Sequence, residues 1–146
     1  MSFRNFINRL KDQREELERT REEDALRIAF DLTGQIKLRI QSRGEDFNDD
    51  PFSPYTPGYA ETRDELGFQS DYVDLTRSGQ LWANVRPVVI DKTQTTVSVE
   101  IGAQSPANEV KVRGFVRKRP NPMRPSQAEI QRAQDAYFQL RSNRLQ

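Results

Sequence analysis

The chain has 146 residues, a net charge of +1, 34% apolar and 31% charged residues, and neither cysteine nor histidine. That length predicts one domain, but so polar a composition leaves a core smaller than the length allows, with the surplus polar surface on extended elements or under other chains. The missing residue types exclude disulfides, thiolate chemistry, and the usual general base and metal ligand near neutral pH.

The opening "MSFRNFINRLKDQ" reads as neither signal peptide nor anchor, because charges interrupt each apolar run. No stretch is long enough to span a membrane, so no membrane partner is expected. The small net charge hides an asymmetry. Residues 1–24 carry six basic and seven acidic groups, residues 25–110 eight and thirteen, and residues 111–146 nine and two. An acidic middle and a basic end can meet each other between copies, and the basic end can equally face nucleic acid.

Residues 3–41 read as one helix. No proline precedes Pro51 and no glycine precedes Gly34, and Phe3, Phe6, Ile7, Leu10 and Leu17, then Ala25, Ile28, Ala29, Leu32 and Ile36, keep helical spacing. Gly34 weakens the helix by about 1 kcal/mol against alanine and marks a candidate kink. Between the two apolar patches lies "KDQREELERTREED", where Arg14–Glu18, Glu15–Arg19 and Arg19–Glu23 can hold helix in water. The two patches cannot share one small core without a bend. Residues 1–24 are therefore expected to project as an arm whose Phe3, Phe6, Ile7 and Leu10 touch another subunit; a frayed terminal helix is the alternative. Residues 25–146 are expected to form a single α+β domain.

"QSRGEDFNDDPFSP" is a loop. Thr56 and Pro57 start a helix over about 57–66 that stops at Gly67. "DLTRSGQLWANV" holds another short helix, with Thr76 as cap and Leu81 and Trp82 inward. "RPVVIDKTQTTVSVEIG" is a β-hairpin, with Val85, Val88 and Ile90 in one arm and Val97, Val99 and Ile101 in the other. "VKVRGFVRKRPNPMRP" reads as extended and basic, and "VKVRGF" is a candidate third strand. The last helix begins at a capping box, Ser126 with Glu129, and buries Ile130, Ala133, Tyr137 and Leu140. The expected fold is α+β: a long N-terminal helix, short helices, a small antiparallel sheet and a C-terminal helix.

Catalytic constellations are thin. Asp46, Asn48 and Asp50 match the start of an EF-hand loop, but Pro51 stands where glycine belongs and Pro57 where the bidentate glutamate belongs. "LTRSGQ" lacks the nucleophile-elbow glycine, and no histidine exists to serve as base. No glycine-rich loop with a lysine holds phosphate. A hydrolase would have to use Asp49 and Asp50 of the acidic loop. No cofactor or metal is expected, and an enzyme is not.

Two segments point instead to contacts. "FSPYTPGYAETRDELG" combines two prolines, Pro54 and Pro57, with Phe52, Tyr55 and Tyr59. Proline lowers the entropy lost on ordering, and tyrosine gives contact area with few rotors, which suits a subunit interface; cover for the hairpin core is the alternative. Lys111, Arg113, Arg117, Lys118, Arg119 and Arg124, with Phe115 among them, can neutralise phosphates without reading bases, or pair with the acidic middle of a neighbour.

The order "PFSPYTPGYAETR", "VDLTRSGQLWANV", hairpin, then "RPNPMRPS" into a terminal helix resembles the tail-completion or neck (virion morphogenesis) proteins of tailed bacteriophages, over roughly residues 25–140. The matching positions are Pro51, Ser53, Pro54, Thr56, Arg63, Leu75, Ser78, Gly79, Leu81, Arg124, Pro125 and Ser126. Where members often carry a Tyr-Ala…His…Phe-Gly segment, this chain has "NEVKVRGF". The resemblance implies a non-enzymatic head-to-tail connector protein of the virion, assembled in the host cytoplasm. It would form a homo-oligomeric ring of six or twelve copies between portal or connector and tail proteins, around the DNA channel. A small nucleic-acid-binding module using residues 111–124 is the second reading.

Overall fold

The computed structural model describes residues 2–118 and 121–146, apart from the side chains of Phe115, Val116 and Lys118. Its order is α1 (Phe3–Arg43), α2 (Pro57–Glu65), α3 (Gln80–Asn84), β1 (Val85–Lys92), β2 (Val97–Ala103), α4 (Pro106–Lys118) and α5 (Gln127–Asn143). This is the α+β arrangement that the sequence predicts.

The 41-residue α1 is the spine. Ser2 caps it, its hydroxyl accepting from Asn5 N–H at 3.2 Å. Within it, Arg14 reaches Glu18 at 2.8 Å, whereas Arg19 turns back to Glu16 at 2.7 Å rather than toward Glu15 or Glu23. It ends at Gly44, which adopts φ 65° and donates its N–H to the Ile40 carbonyl. Gly44 then accepts from Phe52 N–H at 2.8 Å, which closes the acidic loop and delivers the Phe52 ring inward.

The core sits at this end of the spine. Ile36 and Ile40 pack with Phe52, Val73, Leu75, Leu81, Trp82, Val85 and Met123. The hairpin β1–β2 runs from the core along α1, with Val85 opposite Ala103 and Lys92 opposite Val97. Val85 and Pro87 face inward, and the two-residue period puts Ile90, 61% exposed, on the other face; a bulge follows between Val89 and Asp91. At the tip, Lys92 pairs with Glu22 of α1 at 2.6 Å, and Arg21 donates to the Gln94 carbonyl.

Helix α5 runs antiparallel to α1. Its first turn meets Arg39 through Glu129, and its last turn meets Thr20 and Asp24 through Arg141. Ala133 is its buried centre, with Ile130, Tyr137 and Leu140 half-buried beside it. Beyond Gln13, which donates to the Leu145 carbonyl, the first turns of α1 stand clear of the body.

Two expectations are corrected here. Residues 110–115 form no third strand; they belong to α4, and the sheet has two strands among the described residues. Val110 and Val112 alternate as a strand would, but Ser105 accepts from the N–H groups of Asn108 and Glu109, and Glu109 reaches Arg113 one turn on at 3.6 Å. Helix-start chemistry prevails over a two-residue alternation, and of the two valines only Val112 packs on the core. Nor is Thr76 a helix cap. Gly79, at φ 77°, starts α3, and Thr76 turns back to Asp74. No helix among the described residues is long and apolar enough to cross a membrane.

Candidate functional site

A cavity of about 620 Å³ opens between the Pro54–Tyr59 segment, the loop from Leu75 to Gly79, α3 and Lys111 of α4. Its wall begins with the Pro-rich stretch. Pro57 at the first helical position fixes the entry to α2, and one turn separates Tyr59 from Arg63. Arg63 is 3% exposed. Its Nε donates to the Gln69 carbonyl at 2.8 Å, Nη1 to the Thr76 carbonyl at 2.7 Å, and Nη2 to the Asp74 carboxylate at 3.2 and 3.3 Å.

Around this cation stand three aromatic rings, with centroids 4.6 Å (Tyr55), 5.6 Å (Phe68) and 6.0 Å (Tyr59) from its Cζ. Tyr55 and Tyr59 meet edge to face at 5.2 Å. The Tyr55 hydroxyl donates to Asp74 at 3.0 Å. Burial, then the Asp74 charge and that hydrogen bond, push the Tyr55 phenol up to about 12. Asp74 also accepts from Thr76 N–H at 2.9 Å. Within the loop that this Arg–Asp–Tyr group holds, Leu75, a non-glycine residue, sits at φ 55°.

The cavity's polar inventory is small. Trp82 is 3% exposed, and its Nε1 has no acceptor among the described residues. Arg77 and Lys111 are exposed at the cavity, and neither makes an ion pair or side-chain hydrogen bond among the described residues. Among the described residues no carboxylate lines the cavity, and Asp74 behind its wall is taken up by Arg63 and Tyr55.

The expected contact residues divide between core, cavity and surface. Phe3 (78% exposed), Phe6 and Leu10 line the free end of α1, with Ile7 half-buried. Phe52 lies in the core cluster, so its area is already buried within this chain and it leaves the interface set. Tyr55 is half-buried against that core, and Tyr59 remains open at the cavity. Of the basic set, Lys111, Arg113 and Arg117 are exposed on α4. The Lys118 side chain and all of Arg119 lie outside the described residues. Arg124 stands apart from α4, stacked 4.1 Å over the Phe47 ring.

The acidic loop binds itself: Asp46 accepts from Asn48 and Asp50 N–H at 2.7 and 3.1 Å. Among the described residues no three His, Cys, Asp or Glu side chains converge as metal ligands. Sequence reasoning missed Asp74, the anchor of the cavity. Its signal was a carboxylate set between Val73 and Leu75, where an apolar pair flanks a charge that must find a buried partner. No family model matches the chain, and no curated protein or solved structure shows a significant match to it.

Proposed function

We propose that the protein is a structural subunit of the head-to-tail connector of a tailed bacteriophage, self-assembling as a ring around the DNA channel. One observation carries this reading. The free end of α1 exposes Phe3, Phe6 and Leu10 on one stripe. Its cations Arg4, Arg9 and Lys11 precede the first carboxylate, Asp12. A basic amphipathic helix seeks an acidic surface with apolar relief. Within this chain the exposed Glu61, Asp64 and Glu65 of α2, with Leu66 just after it, offer one at the far end of the spine. Leu10 and Gln41, whose carbonyl accepts from Tyr72 near α2, are about 45 Å apart at 1.5 Å per residue.

An intact α1 therefore cannot fold its arm onto its own α2. On this reading the arm docks on another copy, and the contact joins two different surfaces. Such head-to-tail contacts close into rings or run on as filaments. The order of motifs that resembles the neck-protein family supports the ring, and the polar composition supports burial completed by neighbours. Imaging of the assembled particle is the decisive test: density for this chain in a ring at the neck supports the reading, and its absence from the neck ends it. In solution, light scattering should give an oligomer that Phe3→Ser/Phe6→Ser/Leu10→Ser reduces to monomer.

A second reading has its own support. Lys111, Arg113 and Arg117 stand exposed on one short helix. A nucleic-acid module would bind duplex DNA as an isolated monomer, with affinity falling steeply as salt rises. The two readings separate in that titration.

A further inference from the structure

We infer that the cavity beside Arg63 is a binding site for an acidic peptide segment carrying one large apolar side chain. The volume, about 620 Å³, lies within the range of about 300–1,000 Å³ typical of built ligand sites. Its floor and walls are Pro54, Tyr55, Tyr59, Leu75, Leu81 and Trp82, which suit an aromatic or branched aliphatic side chain.

The site is preformed. Arg63 is fixed by hydrogen bonds from all three of its nitrogens, and the Tyr55 hydroxyl is fixed on Asp74. Such walls lose little entropy on binding. Leu75 holds a left-handed conformation at the cavity wall, a strain that surrounding structure keeps at functional sites.

Charge decides the chemistry of the ligand. Arg77 and Lys111 bring two cations to the site, and no carboxylate within ion-pair reach answers them among the described residues. A ligand with carboxylates flanking its apolar anchor meets both. A nucleotide fits less well. The lining offers Thr56, Thr76 and Ser78 hydroxyls but no Asn, Gln or free carboxylate to read a base edge. The basic, apolar arm of a second copy is also disfavoured, because its Arg4, Arg9 and Lys11 would approach like charges. The site is thus distinct from the arm contact and does not rest on ring assembly.

Trp82 is the only tryptophan in the chain and lines the cavity, so its emission reports occupancy. The test is selection of random dodecapeptides by ribosome display on the full-length protein, with the Arg77→Glu/Lys111→Glu variant as counter-target. Enriched peptides should carry several Asp or Glu residues around one large apolar residue. They should shift Trp82 emission, bind at least 10-fold more weakly to the double variant, and weaken as salt rises. Tyr59→Ser, exposed at the rim, should weaken binding while the near-ultraviolet circular dichroism of the fold is retained. No enrichment over the counter-target overturns the inference, as does equal binding to wild type and variant. A shift of Trp82 emission by a single-stranded oligonucleotide, lost in the double variant and not reproduced by peptides, overturns it in favour of nucleic acid. The cavity variants should leave oligomeric state unchanged and the arm variant should leave peptide binding unchanged, so the two proposals fail separately.

Discussion

Arg39 and Glu129 stand 90 positions apart in the chain and meet at 3.2 Å, 1% and 2% exposed. The same carboxylate accepts from Ser126 N–H at 2.8 Å, completing the capping box of α5. Arg39 also donates through Nη2 to the Arg124 carbonyl at 2.9 Å, so one pair joins the spine, the start of α5 and the turn before it. Glu129→Leu should destabilise the protein by about 3–5 kcal/mol, because it leaves a buried guanidinium without its counter-charge. The double variant Arg39→Met/Glu129→Leu should lose clearly less than the two single losses added together. Urea denaturation of the four proteins checks this. Additive losses would show that the two side chains act independently.

Asp24 is another buried charge and makes an acid prediction. It is fully buried and accepts from Arg141 at 2.7 Å and from Arg144 at 2.7 and 2.8 Å. Burial pushes its carboxyl up, but the hydrogen bonds from Arg144 and Arg141 outweigh it, and the net shift is below the ordinary carboxylate value. The unfolded chain therefore takes up this proton at a higher pH than the folded one. The stabilisation is complete above the unfolded value near pH 4 and is lost as pH falls through the lower, folded value. Melting curves from pH 7 to pH 3 should show Asp24→Asn less stable than wild type at neutral pH and the gap closing in acid. A gap independent of pH would remove the ion pairs from the account.

Gly44 makes a steric prediction. It sits at φ 65°, and a Cβ there would lie 2.8 Å from Tyr72 Cδ2 and 2.9 Å from the Val73 carbonyl oxygen. Gly44→Ala therefore combines left-handed strain with a clash against backbone, a loss of about 2–4 kcal/mol. Gly67 has φ 77° but open space around its Cα, so Gly67→Ala should lose only the strain, about 1 kcal/mol. Equal losses at the two sites, measured by denaturation, would show that the close approach of Tyr72 carries no weight.

The elements that could be read from the sequence are those with local signals. The long helix follows from its spacing and the absence of early glycine or proline, the last helix from Ser126 and Glu129, and the hairpin from Val97, Val99 and Ile101. Residues 110–115 misled because Val110 and Val112 imitate a strand over too short a span to outweigh helix-start chemistry at Ser105. Phe52 looked like a contact residue because its neighbours are prolines and tyrosines. Whether a given ring turns inward depends on Gly44 returning the chain, a relation across the loop. The cavity was half legible. Tyr55, Tyr59 and Arg63 stand in one segment, but Asp74, Trp82 and Lys111 reach them only through the fold. The network around Asp24 was invisible for the same reason, with partners about 120 positions away.

Tyr55 gives the cavity wall an alkaline signature. Burial, then the Asp74 charge and the hydrogen bond to it, push its phenol up to about 12. For a group raised in the folded state, stability is intact below the unfolded value, about 10 for tyrosine, and is lost as pH rises through the folded value. The window is therefore from about 10 to about 12. Tyr55 should give a late phase near 12 in an ultraviolet absorbance titration, and stability should fall across that window. Tyr55→Phe should remove the late phase and flatten the loss. It also removes one hydrogen bond from Asp74, at about 1 kcal/mol, while Arg63 continues to hold that carboxylate at 3.2 Å. If the wild type shows no late phase while the fold is intact, Tyr55 is not fixed on Asp74, and the preformed wall of the cavity loses its anchor.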